Sequence, residues 1–87
     1  MKHASHTDVG NRLKRSSGHL KKVITMLEAG HPCAELAQQL HAVERAISAA
    51  KKVLIQDHID HCLSQPPDTA KAHAETIADL REITRYL

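Results

Sequence analysis

Residues 33–65 contain neither glycine nor proline, and within them Leu36, Leu40, Val43, Ile47, Ala50 and Leu54 step by 4, 3, 4, 3 and 4 positions. That spacing holds one apolar seam along the side of an α-helix. The punctuation on either side agrees. Gly30 suits the left-handed residue that closes a helix, Pro32 suits the first turn of the next, and Pro66-Pro67 stops it. Asp68 is a good N-cap for a third helix. The sequence thus predicts an all-α chain with helices at about 6–29, 32–64 and 68–86, in a single domain over 1–87 preceded by a flexible arm at 1–7. On one face of the first helix lie Leu13, Leu20, Val23, Ile24 and Leu27, and on the third lie Ile77, Leu80, Ile83 and Leu87.

A middle helix of this length spans about 45 Å, too long for one short partner helix to cover. Composition sharpens the problem. Tyr86 is the single aromatic residue and the apolar content is otherwise aliphatic, so the core of one chain is small. Pairing two chains with their long helices antiparallel, as a four-helix-bundle dimer, supplies the missing core. No apolar run approaches a membrane span and no signal-peptide pattern opens the chain, which predicts a cytoplasmic protein without a membrane partner. No phosphate loop, nucleophile elbow or pocketed carboxylate pair is present, so neither an enzyme nor a small-molecule substrate is expected.

Charge is unevenly placed. Residues 1–22 hold Lys2, Arg12, Lys14, Arg15, Lys21 and Lys22 against Asp8 alone, whereas the rest of the chain is net acidic. A basic end suits a polyanion such as DNA; a solvated helix face would look the same on charge alone.

Two cysteines are too few for a disulfide scaffold and read as ligands or reactive thiols. His58 and Cys62 stand four apart on one helical face, where they can grip one ion. Either alone reads as a helix-end histidine or a small buried residue; together, in the run Asp57-His58-Ile59-Asp60-His61-Cys62, they read as a metal site. Cys33 precedes His58 by 25 residues, about 37 Å along a helix. An antiparallel partner would therefore have to bring its own His58 and Cys62 to Cys33. His61 points away from that face and is a second-rank donor. His3 and His6 either fold over the site from the arm or are incidental to a tail. His19, His31, His41 and His73 read as surface or cap residues.

The stretches Arg12-Leu-Lys-Arg-Ser-Ser-Gly-His19, Cys33, Gln39-Leu-His-Ala-Val-Glu-Arg-Ala-Ile47 and Leu54-Ile-Gln-Asp-His-Ile-Asp-His-Cys62 resemble the CsoR/RcnR family of bacterial metal-sensing repressors. The likeness is good over 9–64 and looser in the third helix. It implies a dimer of long helices that pairs into a disc-shaped homotetramer, binds operator DNA when metal-free, and lets go on binding metal so that an efflux gene is expressed. It implies Cys33, His58 and Cys62 as ligands, and Arg12, Lys14 and Arg15 as DNA-facing positions, with Lys21, Lys22, Arg45, Lys51 and Lys52 as further basic candidates. Glu44 stands where the family usually has a basic residue, and Gly18-His19 replaces the usual Gly-Gln, as in nickel-responsive relatives. Within the family, Lys2 departs from the formaldehyde-sensing branch, which has an N-terminal proline, and His58 from the persulfide-sensing branch, which lacks this histidine. Copper(I) is satisfied by Cys, His and Cys; nickel(II) and cobalt(II) want further donors, which His3 and His6 offer. Nickel or cobalt is thus expected, with copper(I) as the alternative. A metal-storage or chaperone bundle, or a thiol-redox sensor built on Cys33 and Cys62, would be the readings outside DNA binding by a metal sensor.

Overall fold

A computed structural model describes residues 5–64 and 68–87. It holds three helices: α1 (Ser5–Glu28), α2 (Cys33–Ser64) and α3 (Ala70–Thr84). The first two form an antiparallel hairpin, closed by Gly30 at φ 79°. The Gly30 N–H donates to the Leu27 carbonyl and the His31 N–H to that of Met26, each at 3.1 Å. These two bonds satisfy carbonyls that the end of α1 would otherwise leave open, and they require a left-handed residue at position 30. Pro32 then caps α2, its carbonyl accepting from the Leu36 N–H at 3.0 Å.

The helix ends lie within two residues of those read in the sequence, with differences at both ends of the chain. Helix α1 opens at Ser5, one residue before the expected start, so Ser5, His6 and Thr7 of the expected arm at 1–7 lie in its first turn. The Ser5 hydroxyl donates to the Asp57 carboxylate at 2.8 Å, pinning the start of α1 to the end of α2. The cap of α3 is Thr69 rather than Asp68: its hydroxyl accepts from the Ala72 N–H at 3.0 Å. The helix ends at Thr84, short of 86. His3 and the Pro66-Pro67 break lie outside the described residues.

The hairpin buries Val9, Ser16, Val23 and Met26 of α1 against Leu36, Val43, Ala50 and Ile55 of α2. Most of these repeat every seven residues, one stripe on each helix. A second pair of stripes, four residues further on, stays open to solvent: Leu13, Leu20 and Leu27 on α1, Leu40, Ile47 and Leu54 on α2. The apolar face expected for α1 is therefore split, with Val23 alone inside the hairpin and its leucines outside. The seam of α2 is split in the same way.

The result is a slab of 59 × 22 × 14 Å with a radius of gyration of 18.0 Å, against about 12 Å for a compact domain of this length. Helix α3 crosses the His58 end of the hairpin and has no fully buried residue. Among the described residues no helix is long and apolar enough to cross a membrane.

Candidate metal centre and basic cleft

In the last two turns of α2, His58 and Cys62 share one face. The His58 Nε2 lies 3.6 Å from the Cys62 Sγ. With metal–nitrogen and metal–sulfur bonds of about 2.0 and 2.3 Å, donors on one tetrahedral ion stand roughly 3.5 Å apart. The pair thus fits a single ion without rearrangement. Cys33 is exposed at the opposite end of α2, so one chain does not bring all three sequence-derived ligands together. His6 is half-buried in the first turn of α1, at the same end of the hairpin as His58 and Cys62. His61 is half-buried on the neighbouring face. Neither belongs to the tight donor cluster.

That cluster contains a residue the sequence reading missed. Asp79, from α3, places a carboxylate oxygen 2.5 Å from the His58 Nε2 and 3.9 Å from the Cys62 Sγ. His58, Cys62 and Asp79 form the one group of three potential donors within 4.8 Å found among the described residues. Nothing in the sequence distinguishes Asp79 from Glu75 or Glu82 on the same helix. Its place depends on α3 folding back across α2. Burial pushes the Cys62 thiol above its usual range, and the Asp79 charge and hydrogen bond push it the same way. Metal-free Cys62 is therefore a thiol at neutral pH, and an ion that binds there displaces a proton.

Away from this end, α1 and α2 enclose a cleft of about 180 Å³ lined by Arg12, Arg15, Ser16, His19, Ala46 and Ala49. The two alanines keep its α2 wall low, which leaves room for the longer basic side chains. Arg12 is held by Asp8 at 3.2 Å one turn earlier, while Arg15 is exposed. His19, read from sequence as a surface or cap residue, instead bridges the helices through a 2.7 Å contact with the Gln39 side chain. His31 pairs with Glu35 at 3.4 Å. By helical spacing Arg45 and Lys52 share the face of Ala49, whereas Glu44 and Lys51 lie together on the adjacent face. Lys14, Lys21 and Lys22 are exposed along α1.

An all-α hairpin with a His–Cys donor pair at one end and a cleft lined by Arg12, Arg15 and His19 between its helices has the parts of a small helical module for a metal ion and a polyanion. The sequence profile described as "Metal-sensitive transcriptional repressor" matches residues 5–86. The chain belongs to this family, the CsoR/RcnR family, whose members are transcriptional repressors and not enzymes. It is 39% identical over 54 residues to the copper-sensing transcriptional repressor CsoR of Mycobacterium ulcerans, covering 62% of this chain and 46% of that one. The chain thus spans about half the length of the mycobacterial relatives it matches. To the copper-sensing repressor CsoR of Bacillus subtilis it is 28% identical over 80 residues, covering 88% of this chain and 79% of the other. Among solved structures, the nickel-responsive transcriptional regulator InrS superimposes with a TM-score of 0.81 at 28% identity, covering 100% of this chain and 98% of that one.

Proposed function

We propose that this chain is a cytoplasmic, metal-responsive repressor that binds operator DNA when metal-free and releases it on binding nickel(II) or cobalt(II), so that a metal-efflux gene is expressed. The observation that carries this reading is the separation of donors. His58 and Cys62 are spaced for one ion, and Cys33 lies at the far end of a continuous 32-residue helix. A site using all three is completed only between chains, Cys33 from one and His58 with Cys62 from its antiparallel neighbour. Metal occupancy then bears directly on how the two chains sit together, and so on the spacing of the basic surface.

Self-association has support of its own. The chain exposes 6678 Å², where a folded monomer of this mass exposes about 5,100 Å². The difference, roughly 1,600 Å², is of the order that a chain gives up in a large obligate interface. A dimer closing into a four-helix bundle, and the pairing of two such dimers into a tetramer, would cover the open stripes. Arg12, Lys14 and Arg15, with Lys21, Lys22, Arg45, Lys51 and Lys52, form the proposed DNA surface. Among the described residues no recognition helix protrudes, so phosphate contacts and DNA shape carry most of the binding.

The preference for nickel or cobalt rests on the extra donors at the amino-terminal end, with His6 at the same end as His58 and Cys62 and His3 preceding it. Copper(I) is the second reading, favoured by the copper-sensing relatives and by a Cys, His, Cys set that satisfies a three-coordinate ion. DNA release, rather than affinity, decides between them, because copper binds thiolates tightly whatever the cell uses them for. Gel-shift titration against the chain's own upstream DNA should show release by nickel and cobalt, blunted by His3→Ala or His6→Ala. Release by copper alone transfers the assignment to copper. After subunit exchange, a mixture of Cys33→Ala chains with His58→Ala/Cys62→Ala chains should regain one tight site per heterodimer. A mixture that binds no better than its components refutes the shared site.

A further inference from the structure

We propose that Asp79 is itself a metal ligand: its carboxylate joins His58 Nε2 and Cys62 Sγ in a nitrogen, sulfur and oxygen half-site, contained in one chain, that takes borderline divalent ions, whereas copper(I) leaves the carboxylate unused. The inference rests on the metal-site reading above and adds a donor from α3 to it.

Distances carry the argument. On a tetrahedral ion with bonds of about 2.0 Å to nitrogen and oxygen and 2.3 Å to sulfur, nitrogen–oxygen pairs stand roughly 3.3 Å apart and pairs with sulfur roughly 3.5 Å. The observed separations are 3.6 Å from Sγ to Nε2 and 3.9 Å from Sγ to the carboxylate. Only the 2.5 Å contact between Nε2 and the carboxylate must open. The required movement is under 1 Å, and Asp79 can make it because its side chain is 53% exposed. In the metal-free chain a proton occupies the position between His58 and Asp79. A divalent ion replaces that proton and the Cys62 thiol proton, which pass to solvent, and no electrons are exchanged. The same hydrogen bond aims Nε2 into the space shared with Sγ, so the half-site is already arranged before the ion arrives.

Donor chemistry makes the residue selective. A carboxylate oxygen suits nickel(II), cobalt(II) and zinc(II), while copper(I) is satisfied by thiolate and imidazole and gains little from a hard oxygen. If Asp79 only oriented the His58 ring, its loss would weaken every metal that uses His58, copper included. Asn at this position still accepts a hydrogen bond from the ring but is a poor ligand, which separates the two roles.

The test titrates reduced, metal-free protein with cobalt(II), nickel(II) and copper(I), comparing the unaltered chain with Asp79→Asn, Cys33→Ala and the double variant. Helical circular dichroism serves as the folding control. Asp79→Asn should lower cobalt and nickel affinity at least tenfold, change the visible cobalt spectrum, and leave copper(I) affinity within about twofold. Cys33→Ala should keep a weakened one-per-chain cobalt site that the double variant loses. An Asp79→Asn chain with unaltered cobalt affinity and spectrum, or one that loses copper(I) in parallel, overturns the proposal. Loss of tight metal in Cys33→Ala tests the shared site separately: if that variant binds like the parent, the inter-chain reading fails while Asp79 stands.

Discussion

Ile47→Ala separates assembly from folding. Ile47 lies at the centre of the open stripe on α2, between Leu40 and Leu54, and keeps 45% of its surface exposed. Complete burial of an aliphatic side chain contributes roughly 1.5–3 kcal/mol. Seating the remaining, slightly smaller half against a second chain is therefore worth about 1 kcal/mol. Two-fold symmetry places the residue in the interface twice, for a total of about 2 kcal/mol, or roughly a 30-fold weaker dimer. Val43→Ala is the matched control. Val43 is 5% exposed inside the hairpin, and losing two carbons there should cost about 1.5 kcal/mol in the fold of each chain. Sedimentation velocity over a dilution series reads the association constant, and thermal melting at high concentration reads the fold. Ile47→Ala should move mainly the first, and Val43→Ala the melting point by roughly 4–8 °C per kcal/mol. If Ile47→Ala leaves association within twofold of the parent, the open stripe is not an interface and the inter-chain metal site loses its support.

On DNA, Arg15→Ala should weaken operator binding more than Arg12→Ala, because Asp8 already occupies Arg12. Each lost phosphate contact should lower the salt slope by about one, measured by fluorescence anisotropy at several ionic strengths; equal, negligible effects would make the basic helix merely solvated. In metal-free protein, the pH midpoint for Cys62 alkylation should lie above that of an ordinary thiol, since burial and the Asp79 carboxylate both disfavour the thiolate. Removing the carboxylate favours the thiolate, so Asp79→Asn should shift that midpoint to lower pH and speed alkylation near neutrality; mass spectrometry of the modified peptide would expose an unmoved midpoint as an error in this account.

What the sequence disclosed follows the range of the interactions. The helices and the break between α1 and α2 were legible because their determinants are local: Gly30 and Pro32 set the turn, and sevenfold spacing sets the stripes on α1 and α2. The His58–Cys62 pair was legible for the same reason, being one helical turn apart. Periodicity alone left open which stripe packs within the chain, and the leucines of α1 proved to be on the outside while Val9, Ser16 and Val23 went in. Asp68 and Thr69 are both good caps, and the choice between them depended on which side chain reaches the Ala72 N–H. The early start of α1 and the position of Asp79 arise from contacts across 52 and 21 residues respectively. Neither leaves a periodic trace.

The slab's 14 Å thickness has a kinetic consequence. Within one chain a single layer of helices has no deep interior, and that chain's half of the proposed metal centre, His58 at 23% and Asp79 at 53% side-chain exposure, is within reach of water. An ion held there can be approached by an incoming thiol or amine before its own bonds break, so exchange proceeds by ligand substitution instead of waiting for spontaneous release. Occupancy then tracks the surrounding pool of buffered metal in both directions. In the proposed efflux repressor such a centre would behave as a gauge, able to empty again as soon as the excess has been exported.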